Sequence, residues 1–417
     1  MKAYVRTFGC RANQYDSEVV RGLIEAAGGE IVDTPAAADV AIFNSCTVTA
    51  DAEADLRRAV RGASRPSIVM GCASARAPEA VGALPNVTHV VQGADVAAVA
   101  IALGLPASAV AAAAAARPGV QTGARALLRI QDGCDEHCTF CATTLARGAN
   151  RSRPAEDVVA EARALAETHP EIVVTGIHIG SYGVDAGSSL GLLVERLIAD
   201  IPDVRFRLTS IEATEVDDRL AALYAGDQRR LAPHLHAPLQ SGSDAVLRRM
   251  GRHWYTAASY ARAVERLASR VAPIALAADI ITGFPGETAA DHAATVALVR
   301  DLPFTSLHVF PYSPRPGTPA TRLERAVPPA LARDRAAELR ALGAAKAAAH
   351  RASRAGGTAD VVVVGDGARR HGLTEDYLSV QLSDPAMPRR SRFDAELVLR
   401  DTGLVAMPLA MAKELDG

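Results

Sequence analysis

Short apolar runs alternate with amphipathic stretches along the first 105 residues. The apolar runs have the length and β-branched content of buried strands, and between them apolar residues recur every three to four positions, as in helices that cover a sheet. This order predicts a compact α/β domain over residues 1–105. The predicted strands are Lys2–Thr7, Val40–Phe43, Ser67–Met70 and His89–Gln92, and the predicted helices are Asp16–Ala27 and Ala50–Val60.

The same alternation returns after a linker rich in Ala, Pro and Gly at residues 106–124. Six strand–helix units fill residues 125–354, and a long Ala/Arg-rich helix, Pro329–Arg354, closes the region. Six units are two short of a complete (β/α)8 barrel, which predicts a partial, open TIM-like (β/α)6 barrel. The strands are predicted near 126–131, 171–175, 204–208, 234–238, 275–281 and 305–310, with helices at Pro154–Glu167, Leu190–Ile201, Thr256–Ala268 and Glu287–Leu302.

Residues 355–417 have a different pattern, because helical periodicity disappears and short strand-like runs are separated by turn residues. These runs predict a small C-terminal antiparallel β-barrel, similar to an OB fold. The predicted strands are Val361–Val364, Leu373–Leu382, Arg392–Leu399 and Leu404–Pro408.

Composition and charge narrow the class of protein only slightly. Of 417 residues, 49% are hydrophobic and 22% charged, and the net charge is −2, which neither favours nor excludes a nucleic-acid partner. Residues 96–116 carry no charge, but they are mostly Ala and include Gly104 and Pro106, so we expect no membrane span. Met1–Thr7 resembles a strand rather than a signal peptide, and we expect a cytoplasmic protein.

Three of the six cysteines form a tight triplet, Cys134, Cys138 and Cys141, with C-x3-C-x2-C spacing. Three thiolates around a [4Fe-4S] cluster leave one iron open to bind another molecule. A structural zinc site is the alternative, but His137 is poorly placed to complete it because it adjoins Cys138. The triplet therefore favours an iron–sulfur cluster with an open iron.

The other three cysteines, Cys10, Cys46 and Cys72, each follow a predicted strand. The carboxyl ends of parallel strands lie at one edge of a sheet, so these thiols could converge there as a second three-thiolate site. Disulfides are the alternative for an even number of cysteines. They are less expected in a large protein that does not begin with a secretion signal.

The triplet together with Phe140, in the pattern C-x3-C-x-Φ-C, resembles the signature of the radical S-adenosylmethionine superfamily. In that superfamily the open iron binds S-adenosylmethionine, and reductive cleavage releases a 5′-deoxyadenosyl radical. The motifs Thr7–Tyr15, Asn44–Thr49 and Gly71-Cys72 resemble the methylthiotransferases within it, in which these three cysteines hold a second [4Fe-4S] cluster. The resemblance implies two [4Fe-4S] clusters, S-adenosylmethionine, and all six cysteines as catalytic metal ligands.

Later segments carry the same resemblance in family order, and the tail, with Gly372–Tyr377, resembles the RNA-binding TRAM domain. One departure stands at Ala142–Leu145, where the family often has an apolar pair and a proline. The matching segments are Arg151–Pro154, Thr175–Gly183, Ser210–Glu212, Pro238–Ser243 and Asp279–Thr288.

Seven residues are predicted to contact S-adenosylmethionine, because the resemblance and their positions after strands place them at the catalytic end of the barrel. The alternative for the glycines is an ordinary strand–helix turn, and for the glutamate a helix-terminal position. His234 and His236 alternate on one strand and are expected in the core rather than on a metal. The predicted cofactor residues are Phe140, Gly176, Gly180, Glu212, Gln240, Gly283 and Pro285.

Arginines near the triplet and in the tail are candidates for RNA contact, since guanidinium groups bind phosphates and an aromatic ring stacks on an unpaired base. Ordinary solvated loop charge is the alternative for each. The implied partner is the anticodon loop of tRNA, whose bases are accessible to an enzyme. The candidates are Arg151, Arg153, Arg369, Arg370, Tyr377, Arg389 and Arg390.

The motifs following Cys10 and Cys46 are most similar to the branch of the family that acts on N6-threonylcarbamoyladenosine at tRNA position 37. The expected reaction is insertion of a methylthio group at C2 of that base, with an electron donor such as flavodoxin or ferredoxin and the protein acting as a monomer. The alternatives are isopentenyladenosine-37 in tRNA, an aspartate of a ribosomal protein, and a non-catalytic iron–sulfur RNA-binding protein.

Overall fold

The N-terminal domain is a parallel sheet of five strands in the order β2-β1-β3-β4-β5, with helices on its faces. The computed structural model describes residues 1–47, 49–113, 117–401 and 403–409. Helix α1 begins at Arg11, five residues before the predicted start, because Ala12 and Tyr15 already pack into the core. The elements are β1 (Lys2–Thr7), α1 (Arg11–Ala26), β2 (Glu30–Ile31), β3 (Val40–Ser45), α2 (Ala50–Gly62), β4 (Ser67–Gly71), α3 (Cys72–Arg76), α4 (Pro78–Gly82), β5 (Val87–Val90) and α5 (Val96–Ala102).

The central domain confirms the predicted partial barrel. Two three-stranded parallel sheets, β10-β9-β6 and β11-β12-β13, are joined by bridges from Phe206 to Leu231 and from Ser210 to His236, which makes one arc of six strands. Its elements are β6 (Ala126–Arg129), β7 (Gln131–Asp132), α7 (Thr143–Arg147), β8 (Arg151–Ser152), α8 (Ala155–Ala166), β9 (Glu171–Thr175), α9 (Leu190–Asp200), β10 (Arg205–Leu208), α10 (Asp218–Ala225), β11 (His234–His236), α11 (Asp244–Arg249), α12 (Ala257–Ala268), β12 (Ala275–Thr282), α13 (Ala289–Asp301), β13 (Ser306–Pro311) and α14 (Pro329–Ser353). The linker before it contains a helix, α6 (Ala107–Ala113).

The two sides of the barrel strands differ in polarity. Phe206 and Leu208 point to the helices and join the main hydrophobic core. Arg205 and Arg207 alternate with them on the concave side, fully buried, and both bind the buried carboxylate of Glu171. The interior of this barrel is therefore polar, and its charges are paired.

The C-terminal domain is a closed barrel in the order β14-β15-β16-β18-β17, as predicted, although the β16–β18 pairing is parallel. The single strand predicted at Leu373–Leu382 is wrong. A turn interrupts it, because Thr374 Oγ1 donates to Asp376 Oδ1 at 2.6 Å and accepts from the Leu378 amide at 2.8 Å. The strands are β14 (Thr358–Val364), β15 (His371–Leu373), β16 (Ser379–Leu382), β17 (Arg392–Arg400) and β18 (Gly403–Pro408).

Some residues of the predicted features lie outside the described part of the chain. They are residue 48 of the motif Asn44–Thr49, residues 114–116 of the linker, and residues 402 and 410–417 of the C-terminal domain. Within the described ranges, every helix is too short or too polar to cross a lipid bilayer.

Candidate active site

The loops after β1, β3 and β4 bring Cys10, Cys46 and Cys72 to the same edge of the N-terminal sheet. These three strands are neighbours and run parallel, so their carboxyl ends meet there. A Cβ atom on Gly9 would lie 2.9 Å from Cys46 Sγ, which shows how closely the first loop approaches the second. Burial raises the pKa of the Cys72 thiol; neighbouring Arg147 opposes this rise, and Cys10 adds to it.

Buried amides and a hydroxyl hold the segments around these three cysteines together. Asn13 Nδ2 donates to Asn44 Oδ1 at 2.8 Å and to the Ser45 carbonyl at 3.1 Å, so the start of α1 is bound to the end of β3. Ser45 Oγ accepts from the Ala73 amide at 3.1 Å, which binds the end of β3 to the start of α3. Gly71 has φ of +98°, and a Cβ there would lie 2.4 Å from Asn44 Oδ1, so only glycine fits this junction.

The second group of thiols lies in the loop between β7 and α7, and each of its three sulfurs accepts a hydrogen bond. The amide of Glu136 donates to Cys134 at 3.4 Å, the amide of Thr143 donates to Cys141 at 3.4 Å, and Arg252 Nη1 donates to Cys138 at 3.2 Å. Such donors stabilise thiolates bound to iron. This triplet therefore suits an iron–sulfur cluster, and the shared sheet edge brings the other three thiols together for a second one.

Arg252 is the main charged group beside this loop. Burial raises the pKa of the Cys138 thiol to about 12, and the Arg252 guanidinium opposes the rise. Arg252 also donates to the buried carboxylate of Glu212, which accepts a further hydrogen bond from Trp254 Nε1. Burial raises the pKa of Glu212 as well, and Arg252 opposes that rise. One arginine thus holds the Cys138 thiol and a cavity carboxylate in fixed positions.

A cavity of about 470 Å³ extends from the triplet to Cys10 of the N-terminal group. Cys10 lines it together with Cys134, Cys138 and Cys141, so a group bound at one site would face a group bound at the other. The remaining lining residues are Arg11, Glu136, Phe140, Thr143, Thr175, Gly176, Ile177, His178, Thr209, Ser210, Glu212, His236, Pro238, Gln240, Arg252 and His308.

Four of the seven predicted cofactor residues line this cavity: Phe140, Gly176, Glu212 and Gln240. Gly180 and Gly283 pack closely against other residues instead. A Cβ atom added to Gly180 would lie 1.9 Å from Glu215 Oε2, and one added to Gly283 would lie 2.3 Å from the Cβ atom of Ala332 in α14. Pro285 lies in the loop of Gly283, outside the described lining. The cofactor role of all seven stays a prediction.

The predicted RNA residues near the triplet differ in exposure. Arg151 has a side chain 60% exposed and lies 3.8 Å from Asp132. Arg153 is largely buried, pairs with Glu161 at 2.8 Å and donates to the Arg129 carbonyl at 2.6 Å. Arg151 is therefore accessible to an RNA backbone, whereas Arg153 makes contacts inside the fold.

The predicted RNA residues of the tail also divide into two groups. Arg369 is exposed, and Arg370 donates to the Met387 carbonyl at 3.0 Å. Arg389 and Arg390 donate to backbone carbonyls of the linker, with Arg390 Nη2 at 2.5 Å from Gln121 O.

The ring of Tyr377 points toward the central barrel. It stacks on His234 with 4.5 Å between ring centroids, and the Arg207 guanidinium lies 4.9 Å from its centroid. His234 is buried, as expected from its strand position. RNA binding by the seven predicted residues stays a prediction.

Several residues of the site received no specific role from the sequence reasoning. Arg147 is buried next to Cys72 and pairs with Asp16 of the N-terminal domain at 2.8 Å and with Asp132 at 3.1 Å. His236, Asp279 and His308 form a hydrogen-bonded group inside the barrel. The alternation of His234 and His236 was the only available signal, since the partners come from distant strands.

Comparison with known proteins identifies both cysteine-bearing domains. The family described as "Uncharacterized protein family UPF0004" matches residues 2–93, and the "Radical SAM superfamily" matches residues 128–299. Threonylcarbamoyladenosine tRNA methylthiotransferase MtaB of Thermotoga maritima is 37% identical, with 79% of each chain covered.

A relative with a different named substrate matches over more of the chain. The tRNA-2-methylthio-N(6)-dimethylallyladenosine synthase of Ralstonia nicotianae is 33% identical, with 94% of this chain and 92% of that protein covered. Among solved structures, the radical S-adenosylmethionine methyltransferase TsrM from Kitasatospora setae has a TM-score of 0.57 at 15% identity, covering 76% of this chain and 73% of that one. This last similarity concerns the fold alone.

Proposed function

This chain belongs to the radical S-adenosylmethionine methylthiotransferase family, and we propose that it inserts a methylthio group at C2 of N6-threonylcarbamoyladenosine at position 37 of tRNA. One observation supports this most strongly: Cys10 and the triplet Cys134, Cys138 and Cys141 line the same cavity. A sulfur held at one site and a radical formed at the other could then reach the same carbon atom.

When bound, two [4Fe-4S] clusters and S-adenosylmethionine supply the radical and the methylated sulfur. Cys10, Cys46 and Cys72 would hold one cluster, and the triplet would hold the other. The chain's own residues position these groups: Arg252 restrains Cys138 and Glu212, while Phe140 packs edge-on against Phe284 with 6.3 Å between ring centroids and adds an apolar wall.

The choice between two tRNA substrates rests on the cavity, because relatives of both kinds are about equally similar to this chain. A dimethylallyl group is purely hydrocarbon, whereas a threonylcarbamoyl group carries a urea, a hydroxyl and a carboxylate. The lining includes Arg11, Ser210 and His308, whose polar groups would lose hydration beside a hydrocarbon and gain partners beside the threonylcarbamoyl group.

The C-terminal barrel is proposed to bind the tRNA through exposed Arg369, and exposed Arg151 of the central domain is proposed as a further phosphate contact. The protein is proposed to act as a monomer and to receive its electron from a small donor protein such as a flavodoxin or ferredoxin.

The test is a reaction of the reconstituted, two-cluster protein with tRNA, S-adenosylmethionine and a reductant, followed by mass analysis of the nucleosides. We expect 2-methylthio-N6-threonylcarbamoyladenosine and 5′-deoxyadenosine. Cys10→Ala is expected to form 5′-deoxyadenosine without the methylthio nucleoside, and Cys138→Ala to form neither.

Three results would contradict the proposal. Methylthiolation of isopentenyladenosine alone would show that the substrate is a different tRNA nucleoside. Modification of a ribosomal protein aspartate would show that the substrate is a protein and not tRNA. Full methylthiolation by Cys10→Ala would overturn the assignment of two cooperating sites.

A further inference from the structure

The N6 substituent of the substrate base must lie close to the carbon that reacts. In adenine, C2 and C6 are separated by a single ring atom, N1, and the substituent extends from the nitrogen on C6. If C2 is placed between the two cysteine groups, the substituent lies in the same cavity. The residues that line this cavity therefore include those that recognise it.

Two charged groups of the lining are already engaged near the triplet. Arg252 is bound to Glu212 and Cys138. His178 lies 2.7 Å from Glu215 and 3.7 Å from Cys134. Both side chains therefore have partners close to the triplet. The other basic groups of the lining are Arg11, His236 and His308. Both ring nitrogens of His236 are occupied, by Ser210 and Asp279, which leaves Arg11 and His308 as candidates for binding a ligand.

His308 is held in one orientation by a carboxylate. Its Nδ1 lies 3.1 Å from Asp279 Oδ1, which His236 Nε2 also approaches at 2.9 Å, and His236 Nδ1 lies 3.1 Å from Ser210 Oγ. With Nδ1 bound to Asp279, the other ring nitrogen of His308 is the one that can meet a ligand. The hydrogen bond to Asp279 raises the pKa of His308, although burial opposes the rise.

Arg11 approaches this group from the N-terminal domain. It directly follows Cys10, lines the cavity, and donates from Nη2 to the phenol oxygen of Tyr377 at 2.8 Å. A guanidinium group has five N–H donors in a planar fork that matches a carboxylate, and the bond to Tyr377 uses one of them. Arg11 is near enough to His308 for its charge to oppose protonation of the imidazole. An anion between the two would relieve this repulsion.

We propose that Arg11 and His308 bind the carboxylate of the threonylcarbamoyl group, and that Asp279 and His236 position His308 for this contact. The proposal rests on the proposed function and assigns its substrate specificity to particular side chains. Tyr377 of the C-terminal barrel then acts as a positioning residue, because it orients Arg11.

The test compares two anticodon stem–loop RNAs that differ by one charge. One carries N6-threonylcarbamoyladenosine at position 37, and the other carries its methyl ester, which has the same shape without the negative charge. Binding to the two-cluster protein is measured under anaerobic conditions. We expect the wild type to prefer the acid by roughly tenfold or more, as for a charge-assisted hydrogen-bonded pair.

Arg11→Gln and His308→Asn are expected to reduce this preference to about threefold or less, mainly by weakening the binding of the acid. His308 belongs to strand β13 and does not adjoin a cysteine in the chain, so His308→Asn remains informative if Arg11→Gln impairs the neighbouring cluster. Arg58→Gln and His89→Asn are matched controls on the exposed surface of the N-terminal domain and should retain the wild-type preference. Iron content and 5′-deoxyadenosine formation verify that each variant retains its clusters.

Three results would overturn the proposal. The first is equal binding of acid and ester by the wild type, and the second is a wild-type preference for the acid in both variants. The third is binding of one zinc or manganese ion per chain by the wild type but not by His308→Asn. The last would make His236, Asp279 and His308 a metal site, whose ligand atoms lie within 4.8 Å of one another. Failure of the proposed function is distinct, because the wild type would then form no methylthio product from the acid RNA, whatever its binding preference.

Discussion

Asp16→Asn should uncouple methylthiolation from 5′-deoxyadenosine formation while leaving both cysteine-bearing domains folded. The Asp16 carboxylate is 1% exposed and binds two arginines of the central domain, Arg147 at 2.8 Å and Arg129. Removing one partner of a buried ion pair costs about 3–5 kcal/mol, because the other charge remains desolvated. Arg147 keeps Asp132 at 3.1 Å, which places the expected cost at the lower end, about 3 kcal/mol.

Calorimetry and product analysis together test this reasoning. At about 2 °C per kcal/mol for a large domain, the loss lowers the unfolding temperature by at least about 6 °C. Formation of 5′-deoxyadenosine should continue while methylthiolated product falls, because the Cys10 loop no longer faces the triplet. Asp200→Asn is the matched control: Asp200 also binds two arginines, Arg163 and Arg196, but on the surface, where such pairs contribute little. Equal effects of the two substitutions, or a parallel loss of both products in Asp16→Asn, would refute the reasoning.

Three further predictions concern the barrel and its partners. Burial opposes ionisation of Glu171, yet neighbouring arginines hold its pKa well below the ordinary value. The ionised carboxylate therefore stabilises the fold fully when the pH is above the ordinary glutamate pKa, and this stabilisation decreases as the pH falls. Glu171→Gln should lower the unfolding temperature at pH 7 in calorimetry, and Glu156→Gln, on the surface, should leave it unchanged. Arg252→Gln should reduce 5′-deoxyadenosine formation by roughly tenfold or more, since a charge-assisted hydrogen bond to Cys138 is lost. Wild-type turnover would show that Arg252 is dispensable. Arg369→Gln should reduce the slope of log affinity for tRNA against log salt by about 1, as for one phosphate contact, whereas Arg390→Gln, whose guanidinium binds linker carbonyls, should change it less. Unchanged slopes in both variants would show that neither Arg369 nor Arg390 contacts the RNA phosphates.

Residues close together in the chain were the predictable part of the site. Cys134, Cys138 and Cys141 lie within eight positions, so their spacing alone limits them to one small metal group. The strands were also predictable, because period-two and buried apolar runs reflect which side of a sheet is covered. Even the edge shared by Cys10, Cys46 and Cys72 followed from the parallel order of the strands that precede them.

Contacts between distant residues were not predictable in the same way. Arg252 donates to Cys138 across 114 positions, and Arg147 to Asp16 across 131. Arginine is frequent in this sequence, so no local pattern distinguishes a buried, paired arginine from an exposed one. Burial and partner choice depend on domain packing, as Arg153 and Arg390 show: both were predicted to contact RNA, and both make hydrogen bonds within the fold.

The sequence by itself determined the predicted chemistry, because the expectation of metal ligation by the triplet depends only on residue type and short spacing. Only the tertiary structure decided which groups face one another across the cavity. Arg11 and Tyr377 are 366 positions apart, yet their side chains meet beside His234, where all three domains converge. Such a meeting requires the docking of domains, which no local sequence pattern encodes, and it places Arg11 in the cavity beside the triplet.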